Sequence, residues 1–268
     1  MLIDFHTHAF ADSIAERAMA KLENTLKVSG RWEEPPATDG TVSGLLRKMD
    51  GCGIDRSVIL PIATKPSQQK TINDWAADVM SDRLICFGSV HPDAEDVFVE
   101  LERIKSLGLK GVKLHPDYQG FFANEERILP VYRKCAELGL PVILHAGLDA
   151  VSFDCIRCTP EMGADILEKV PEMTLILAHM GGNELWDDAE KYLVGKNVWF
   201  DMAFADGNIS DEQAVRMIRA HGADRILFAS DCPWHAPSRE KAMLERLPLT
   251  ESEREDISHR NAERLLNI

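Results

Sequence analysis

The first apolar segment of the chain contains two histidines separated by one residue, in Asp4-Phe-His6-Thr-His8. Side chains at positions i and i+2 of a β-strand point to the same face, so His6 and His8 can approach one ion together. Two imidazoles on a rigid strand supply half of a tetrahedral metal site, which a third histidine and a carboxylate from other strands would complete. Asp4 shares this face one step deeper, where we expect it to accept a hydrogen bond from a ligand imidazole.

Further polar residues stand where other short apolar segments end. They are His91, Lys113, His115, His145, His179 and Asp231. The carboxyl ends of parallel strands meet at one rim when a sheet closes into a barrel, and active sites are built on that rim. Residues as distant in the sequence as His6 and Asp231 would therefore converge, and the pattern predicts a site for a divalent metal ion.

Eight short segments rich in β-branched residues would position these side chains, and they are typical of parallel strands buried on both faces. They are Leu2–Phe5, Arg56–Leu60, Leu84–Val90, Lys110–Leu114, Pro141–His145, Thr174–His179, Asn197–Asp201 and Arg225–Ser230. Amphipathic segments predict helices at Asp93–Leu107, Glu125–Leu138, Pro160–Lys169, Asn183–Val194 and Asp211–His221.

This alternation predicts an α/β fold, namely a (β/α)8 TIM barrel with some distortion, as a single domain over residues 1–268. A doubly wound open sheet is the alternative. It is disfavoured because the first turn after a strand, His-Thr-His-Ala-Phe-Ala, contains no glycine, whereas a dinucleotide-binding turn is glycine-rich.

Composition limits what the protein can bind. The 268 residues include 30 Lys and Arg against 44 Asp and Glu, a formal charge of −14, so nothing broad would attract nucleic acid or an anionic membrane. No apolar run approaches the ~18 residues of a membrane span, and the first residues lack the basic region of a signal peptide. We expect a cytoplasmic protein with a small-molecule substrate and no nucleic acid or membrane partner, with homo-oligomerisation left open.

The residues around the predicted site resemble the amidohydrolase superfamily of metal-dependent barrels. The motifs are Ile-Asp-Phe-His6-Thr-His8, Gly-Val-Lys-Leu-His115-Pro, Val-Ile-Leu-His145-Ala-Gly, Ile-Leu-Ala-His179-Met-Gly-Gly, Ala-Ser-Asp231-Cys-Pro-Trp234 and Asn261-Ala-Glu-Arg-Leu-Leu. All but the first resemble its amidohydrolase-related branch, which includes aminocarboxymuconate-semialdehyde decarboxylase. The resemblance covers nearly the whole chain and implies a TIM barrel, but it says little about the substrate.

The resemblance implies that His6, His8, His145 and Asp231 hold a divalent metal ion. Zinc is the first expectation, manganese and iron are the alternatives, and one ion is expected rather than two. Asp231 would also move a proton. His179 would be a catalytic acid and electrostatic stabiliser or, as in two-metal members, a ligand of a second ion.

Three further residues are expected to bind the substrate. Lys113 stands where some two-metal members carry a carbamylated lysine, but an ammonium that binds a substrate carboxylate is the preferred interpretation. His115 shares the face of Lys113 by the period-two rule, and Trp234 would form a wall of the pocket. His221 and His259 fall in helical segments and are expected at the surface.

We expect metal-assisted hydrolysis of a C–O or C–N bond in a small carboxylated molecule, because a bound divalent ion makes hydroxide available near neutral pH. The alternative is a metal-dependent non-oxidative decarboxylase of an unsaturated or aromatic acid. Decarboxylase-like relatives grip carboxylates with arginines from an insertion after the first strand. Here that stretch is short and acidic, Arg31-Trp-Glu-Glu-Pro-Pro, inside a predicted loop or lid at Ser29–Thr41, which favours the hydrolase. A scaffold without activity is disfavoured because every position of the metal site is retained.

Overall fold

Eight short parallel strands follow one another along the chain in the computed structural model. The structure describes residues 1–29, 35–150, 152 and 154–268. Within these ranges the strands are β1 (Ile3–Thr7), β2 (Arg56–Ile59), β3 (Leu84–Cys86), β4 (Val112–Leu114), β5 (Val142–Leu144), β6 (Leu175–Leu177), β7 (Trp199–Asp201) and β8 (Ile226–Leu227). Each strand overlaps the segment predicted for it, so all eight strand predictions are confirmed.

The strands close into a barrel. They are hydrogen-bonded in the order β1-β2-β3 in one sheet and β4-β5-β6-β7-β8 in the other, with every neighbour parallel. The Lys113 amide donates to the Gly88 carbonyl at 2.8 Å and joins β4 to the end of β3, and the Asp231 amide donates to the His6 carbonyl at 2.8 Å and joins the end of β8 to β1. The predicted (β/α)8 barrel is therefore confirmed, and the alternative of an open sheet is wrong.

Helices surround the barrel. Within the described ranges they are α1 (Asp12–Ser29), α2 (Val42–Cys52), α3 (Gln69–Val79), α4 (Val97–Ser106), α5 (Pro116–Gln119), α6 (Leu129–Glu137), α7 (Pro160–Lys169), α8 (Trp186–Tyr192), α9 (Asp211–His221), α10 (Pro237–Arg246), α11 (Glu251–Glu255) and α12 (Asn261–Leu266), with 3₁₀ turns at Pro66–Gln68 and Ala223–Arg225 and a π turn at Asp256–Arg260. No helix in the described part of the chain is long and apolar enough to cross a bilayer.

Capping residues explain which helix boundaries match the prediction. The helices α7 and α9 begin and end at the predicted residues, and their starts are fixed because Thr159 and Ser210 accept hydrogen bonds from backbone amides of the first turn. The helices α4, α6 and α8 begin later than predicted, because the polar residues at the predicted starts lie before the helix: Asp93 in a turn, Glu125 in irregular structure and Asn183 in a β-bridge with Gly147.

Alternation along the strands separates two apolar layers and places Lys113 on the inner one. Ile143 of β5 packs with the inner layer, whereas its neighbours Val142 and Leu144 pack with the layer under the helices. In β4, Val112 and Leu114 belong to the outer layer, so Lys113 between them faces the barrel interior, where it is 1% exposed. A charged side chain therefore occupies a position that is apolar in the neighbouring strand.

The structure differs from the sequence prediction at His221 and at the two ends of the predicted loop Ser29–Thr41. His221, expected at the surface, is buried at the end of α9, where it stacks on Phe200 and its Nε2–H donates to the Val198 carbonyl at 2.8 Å. That prediction is wrong because the last turn of α9 packs on β7. In the predicted loop Ser29–Thr41, Ser29 ends α1 and Thr41 caps α2. Residues 30–34, Arg31 among them, lie outside the described residues.

Candidate metal centre

Three predicted ligands converge where β1 and β8 end. The Nε2 atoms of His6 and His8 lie 3.2 Å apart. The Oδ1 atom of Asp231 lies 3.1 Å from Nε2 of His8 and 3.4 Å from Nε2 of His6. His6, His8 and Asp231 form one of the two groups within the described residues whose ligand atoms could hold a metal ion. We call these three residues the ligand group.

The hydrogen bonds of the two imidazoles show why a cation fits here. The Nδ1–H of His6 donates to Oδ2 of Asp201, and the Nδ1–H of His8 donates to the Leu60 carbonyl, both at 2.8 Å. A neutral imidazole carries one proton, so both Nε2 atoms present lone pairs. Two lone pairs and a carboxylate oxygen thus face one another without a proton between them. Such nitrogen and oxygen donors are the ligands that a divalent ion such as zinc accepts.

Burial and neighbouring charges together set the pKa values of His6 and Asp231 in the ligand group. Burial lowers the pKa of His6 well below its usual value, and the Lys113 ammonium lowers it further. Burial alone would raise the pKa of Asp231, but the neighbouring imidazoles of His6 and His8 favour its charged form and hold the pKa below the ordinary range. The arrangement therefore favours a neutral His6 and an ionised Asp231, which are the protonation states that metal ligands need.

Lys113 lies against the ligand group. Its Nζ atom is 3.3 Å from Nε2 of His6. Burial lowers the pKa of Lys113 to about 8, against the opposing effect of the Asp201 and Asp231 carboxylates. Among the described residues, Lys113 and His115 do not line the adjacent cavity. Neither residue therefore reaches the cavity, and the expected contact of Lys113 and His115 with a substrate stays a prediction.

The other predicted ligand, His145, lies in a second cluster beside the first. The Nδ1–H of His179 donates to the Ala203 carbonyl at 2.9 Å, so Nε2 of His179 accepts from Nδ1 of His145 at 3.0 Å. The Nε2 atom of His145 then has a lone pair, and it is buried without a hydrogen-bond partner within the described residues. The structure does not bring His145 into the ligand group, and its role as a ligand of the same ion stays a prediction.

The second group with metal-ligand geometry contains His115, His145 and Asp149. The rings of His115 and His145 stack with centroids 4.3 Å apart and an 8° angle between planes, so their in-plane lone pairs run nearly parallel and cannot both point at one ion. The Nδ1 atom of His115 also accepts from the Tyr118 amide at 3.4 Å, which puts its proton on Nε2 beside Asp149. With this tautomer, the Nε2–H of His115 faces Asp149.

A cavity of about 120 Å³ lies against the ligand group. Its wall includes Asp231, His145 and His179, and the aromatic side chains of Tyr118, Phe204 and Trp234, with Leu22 and Leu26 of α1 on one side. Trp234 lies in this wall, and its contact with a substrate stays a prediction. The volume of the cavity is below the roughly 150 Å³ of a cavity that accepts a benzene ring, so the aromatic wall, and not the volume, favours a planar molecule. A larger groove of about 590 Å³ on another side of α1 contains none of the histidines.

A carboxylate next to His6 was predicted, but the residue was misidentified. Asp4 accepts from the backbone amides of His6 and Ser230 and from the Ser230 hydroxyl, and from no imidazole. The pairing of β1 shifts register between Asp4 and Thr7, so the two-residue alternation does not extend from His6 to Asp4. Asp201 takes the predicted role. It ends β7, and the rule that selected polar residues at the ends of other strands would have identified it.

Comparison with known proteins supports the resemblance to the amidohydrolase superfamily that the sequence motifs indicate. The profile of the family described as Amidohydrolase matches residues 3–268. Gamma-resorcylate decarboxylase from Polaromonas sp. is 25% identical over 224 residues, which cover 66% of this chain and 68% of that protein. The 2-amino-3-carboxymuconate-6-semialdehyde decarboxylase from Dictyostelium discoideum is 22% identical over 199 residues, which cover 61% of this chain and 55% of that protein.

A solved structure supports the fold. It is 5-carboxyvanillate decarboxylase from Novosphingobium aromaticivorans, with bound manganese and 3-methoxy-4-hydroxy-5-nitrobenzoic acid. The alignment covers 100% of this chain and 97% of that one, with a TM-score of 0.75 and 17% identity. The predicted resemblance to the amidohydrolase-related branch is confirmed, and a metal-binding residue group is present.

The predicted hydrolase, in contrast, is wrong. Both curated relatives are decarboxylases. The error has a physical cause: the motifs specify metal ligands, and one set of nitrogen and oxygen ligands serves an ion that activates water and an ion that polarises a substrate oxygen. The hydrolase was also favoured because the stretch around Arg31 contains only one arginine. Arg31 and its nearest neighbours are outside the described residues, so the structure does not test that reasoning.

Proposed function

Because the chain belongs to the amidohydrolase family, we propose that it is a metal-dependent, non-oxidative decarboxylase of a small aromatic or unsaturated carboxylic acid. The observation that carries this proposal is the place of Asp231, which belongs both to the ligand group and to the wall of the cavity. A substrate in the cavity would therefore lie directly against the ion. The two curated decarboxylases support this choice of reaction.

The ligand group would hold one divalent ion, with His145 as the fourth expected ligand. When bound, the ion supplies positive charge that binds the carboxylate or a neighbouring oxygen of the substrate. Zinc suits imidazole and carboxylate donors, and manganese, which the Novosphingobium protein carries, is the alternative.

The reaction needs an orienting pocket and a proton. The bond from the carboxyl carbon to the neighbouring carbon breaks, CO₂ leaves, and the electron pair stays on that neighbouring carbon, which takes a proton. Tyr118, Phe204 and Trp234 would orient the planar substrate by contact with its faces and edge. We assign proton transfer to Asp231, whose ionised carboxylate would take a proton from water and pass it to that carbon. We assign stabilisation of the developing charge to His179, because it is also on the cavity wall.

Of the three residues expected to bind substrate, one contacts it directly in this proposal and two lie behind the cavity wall. Trp234 contacts the substrate in the cavity. Lys113 and His115 act from behind the wall, where the Lys113 ammonium adds positive charge beside His6 and favours an anionic substrate. We further propose that residues 1–268 act as one domain in the cytoplasm on a small molecule, without a nucleic acid or membrane partner.

Two substrate panels test the proposed reaction. Protein loaded with zinc or manganese is incubated with aromatic and unsaturated acids, including gamma-resorcylate and 5-carboxyvanillate, and released CO₂ is measured. A second panel contains lactones, esters and amides. We expect CO₂ from at least one acid, loss of that activity after chelation, and recovery when the metal is restored. Turnover of the second panel without CO₂ from any acid would contradict the proposal.

A further inference from the structure

The seventh strand ends in a buried carboxylate that links two histidines of the site. Asp201 closes β7 and is 0% exposed. Its Oδ2 accepts the Nδ1–H of His6 at 2.8 Å. Its Oδ1 accepts the backbone N–H of His179 at 2.8 Å and that of Ala203 at 3.1 Å. One side chain from β7 therefore contacts a residue of β1 and a residue that follows β6.

The bond to His6 determines which ring nitrogen is available to an ion. While Nδ1 donates to Asp201, the single proton of neutral His6 stays on Nδ1 and the Nε2 lone pair points at His8 and Asp231. A carboxylate that accepts from the distal nitrogen of a ligand histidine also fixes the ring orientation and makes the ligand nitrogen more basic.

The bond to His179 holds a strained backbone. His179 has a φ of +60°, in the left-handed region that non-glycine residues adopt only when their surroundings hold them there. Its backbone N–H donates to Asp201, and its ring Nδ1–H donates to the carbonyl of Ala203, which lies two residues after Asp201. The end of β7 thus fixes both the backbone and the ring of His179.

We infer that Asp201 is a positioning residue of the metal centre. It selects the His6 tautomer that leaves Nε2 free to bind the ion, and it holds His179 beside the same site. The inference rests on the metal centre of the proposed function, but it concerns ligand preparation and does not depend on which reaction follows.

The variant Asp201→Asn separates the tautomer from the fold. Asparagine has one acceptor oxygen and one NH₂ donor. If the oxygen faces the two backbone N–H groups, the NH₂ group faces Nδ1 of His6, which can accept only after its proton moves to Nε2. The opposite orientation sets NH₂ against two backbone donors that cannot rearrange. The first orientation therefore prevails, the fold is kept, and the lone pair that would bind metal is lost.

A second buried carboxylate supplies the matched control. Asp4 is also 0% exposed and accepts from the Ser230 hydroxyl at 2.6 Å and the Ser230 amide at 2.9 Å. It touches no imidazole within the described residues. Asparagine fits there because its oxygen can accept the Ser230 amide while its NH₂ group donates to the Ser230 hydroxyl oxygen. The variant Asp4→Asn removes a buried charge without changing the partner of His6.

The experiment titrates Co²⁺ into the metal-free full-length wild-type, Asp201→Asn and Asp4→Asn proteins and records visible absorption of the bound ion. We expect the dissociation constant of Asp201→Asn to rise about 10- to 100-fold and that of Asp4→Asn to stay near the wild-type value. The ¹⁵N chemical shifts of His6 in the metal-free proteins report the tautomer. We expect Nδ1–H in the wild type and in Asp4→Asn, and Nε2–H in Asp201→Asn.

The outcomes distinguish this inference from the proposed function. Equal Co²⁺ affinity in Asp201→Asn and the wild type, or an unchanged His6 tautomer in the variant, would overturn the inference while leaving the metal centre intact. A wild-type protein that binds no Co²⁺ would instead overturn the metal centre. If neither variant folds, the wild-type spectrum still decides, because Nε2–H on wild-type His6 contradicts the role of Asp201.

Discussion

At the scale of single residues, the protonation of a few buried side chains decides what the protein can bind. His6 and His8 each donate from Nδ1, so their Nε2 lone pairs meet the Asp231 carboxylate. Sequence spacing predicted that these three residues meet. It could not supply the tautomers, which depend on Asp201 at the end of β7 and on the carbonyl of Leu60, just after β2.

Asp231→Asn tests the assignment of proton transfer. The amide keeps an oxygen for the ion but cannot carry the proton, so we expect activity to fall by about 10²- to 10⁴-fold while metal content is largely preserved. Steady-state rates and elemental analysis measure the two quantities. His259→Asn is the control, because His259 is bonded to Glu263 and is not on the cavity wall. Undiminished activity in Asp231→Asn would contradict the assignment.

Lys113 should make stability depend on pH in a defined window. Its pKa is lowered from 10.5 to about 8, chiefly by burial. Between these two pH values the unfolded chain binds the proton and the folded protein does not, so the free energy of unfolding rises with pH across the window. The gain is about 3 kcal/mol.

Urea unfolding of the metal-free protein at several pH values across that window measures the gain. In Lys113→Met the titrating ammonium is absent, so the rise should be missing, and the difference between the two proteins isolates Lys113 from other groups. A parallel pH dependence in both proteins would show that the pKa of Lys113 is not lowered by folding.

At the scale of elements, the ends of strands matter more than their middles. Parallel strands were predictable because both faces are buried and the sequence is apolar throughout. The Asp4 error shows the limit of that method, since a register shift within β1 is invisible in the residue pattern. Helix starts were misplaced where a polar residue ahead of the helix resembles a cap, and they were correct where Thr159 or Ser210 makes the capping bond.

The loops after β5 and β6 meet at Gly147, which gives a test at this scale. A Cβ on Gly147 would lie 2.1 Å from the backbone nitrogen of Asn183, and its φ is +87°. Gly147→Ala should therefore separate the loops that carry His145 and His179. Gly139 also has a positive φ, +63°, but an added Cβ there meets no atom within 4 Å.

We expect Gly139→Ala to cost about 1–2 kcal/mol of stability from backbone strain alone. Gly147→Ala should cost clearly more, because steric overlap adds to the strain, and it should also weaken metal-dependent activity. Urea unfolding and activity assays on both variants provide the comparison. Equal losses of stability would mean that the contact between Gly147 and Asn183 does not hold the two loops.

At the scale of the whole molecule, the closed barrel explains how residues from distant parts of the sequence form one site. Closure brings β8 beside β1, so Asp231 meets His6 and His8. The −14 charge belongs to the protein surface for the most part, whereas the site collects histidines and a lysine. Fold, family and ligand group were all within reach of the sequence. The reaction was not, because the same ligands serve hydrolases and decarboxylases.

The fate of a labelled carboxyl group tests the central claim most directly. Metal-loaded protein is incubated in D₂O with a ¹³C-carboxyl-labelled aromatic acid that it consumes, and the products are analysed by mass spectrometry. The proposed decarboxylase releases ¹³CO₂ and places one deuterium on the carbon that lost the carboxyl group, and a chelator abolishes both. Product that retains the ¹³C label, with water added across a C–O or C–N bond, would contradict the account.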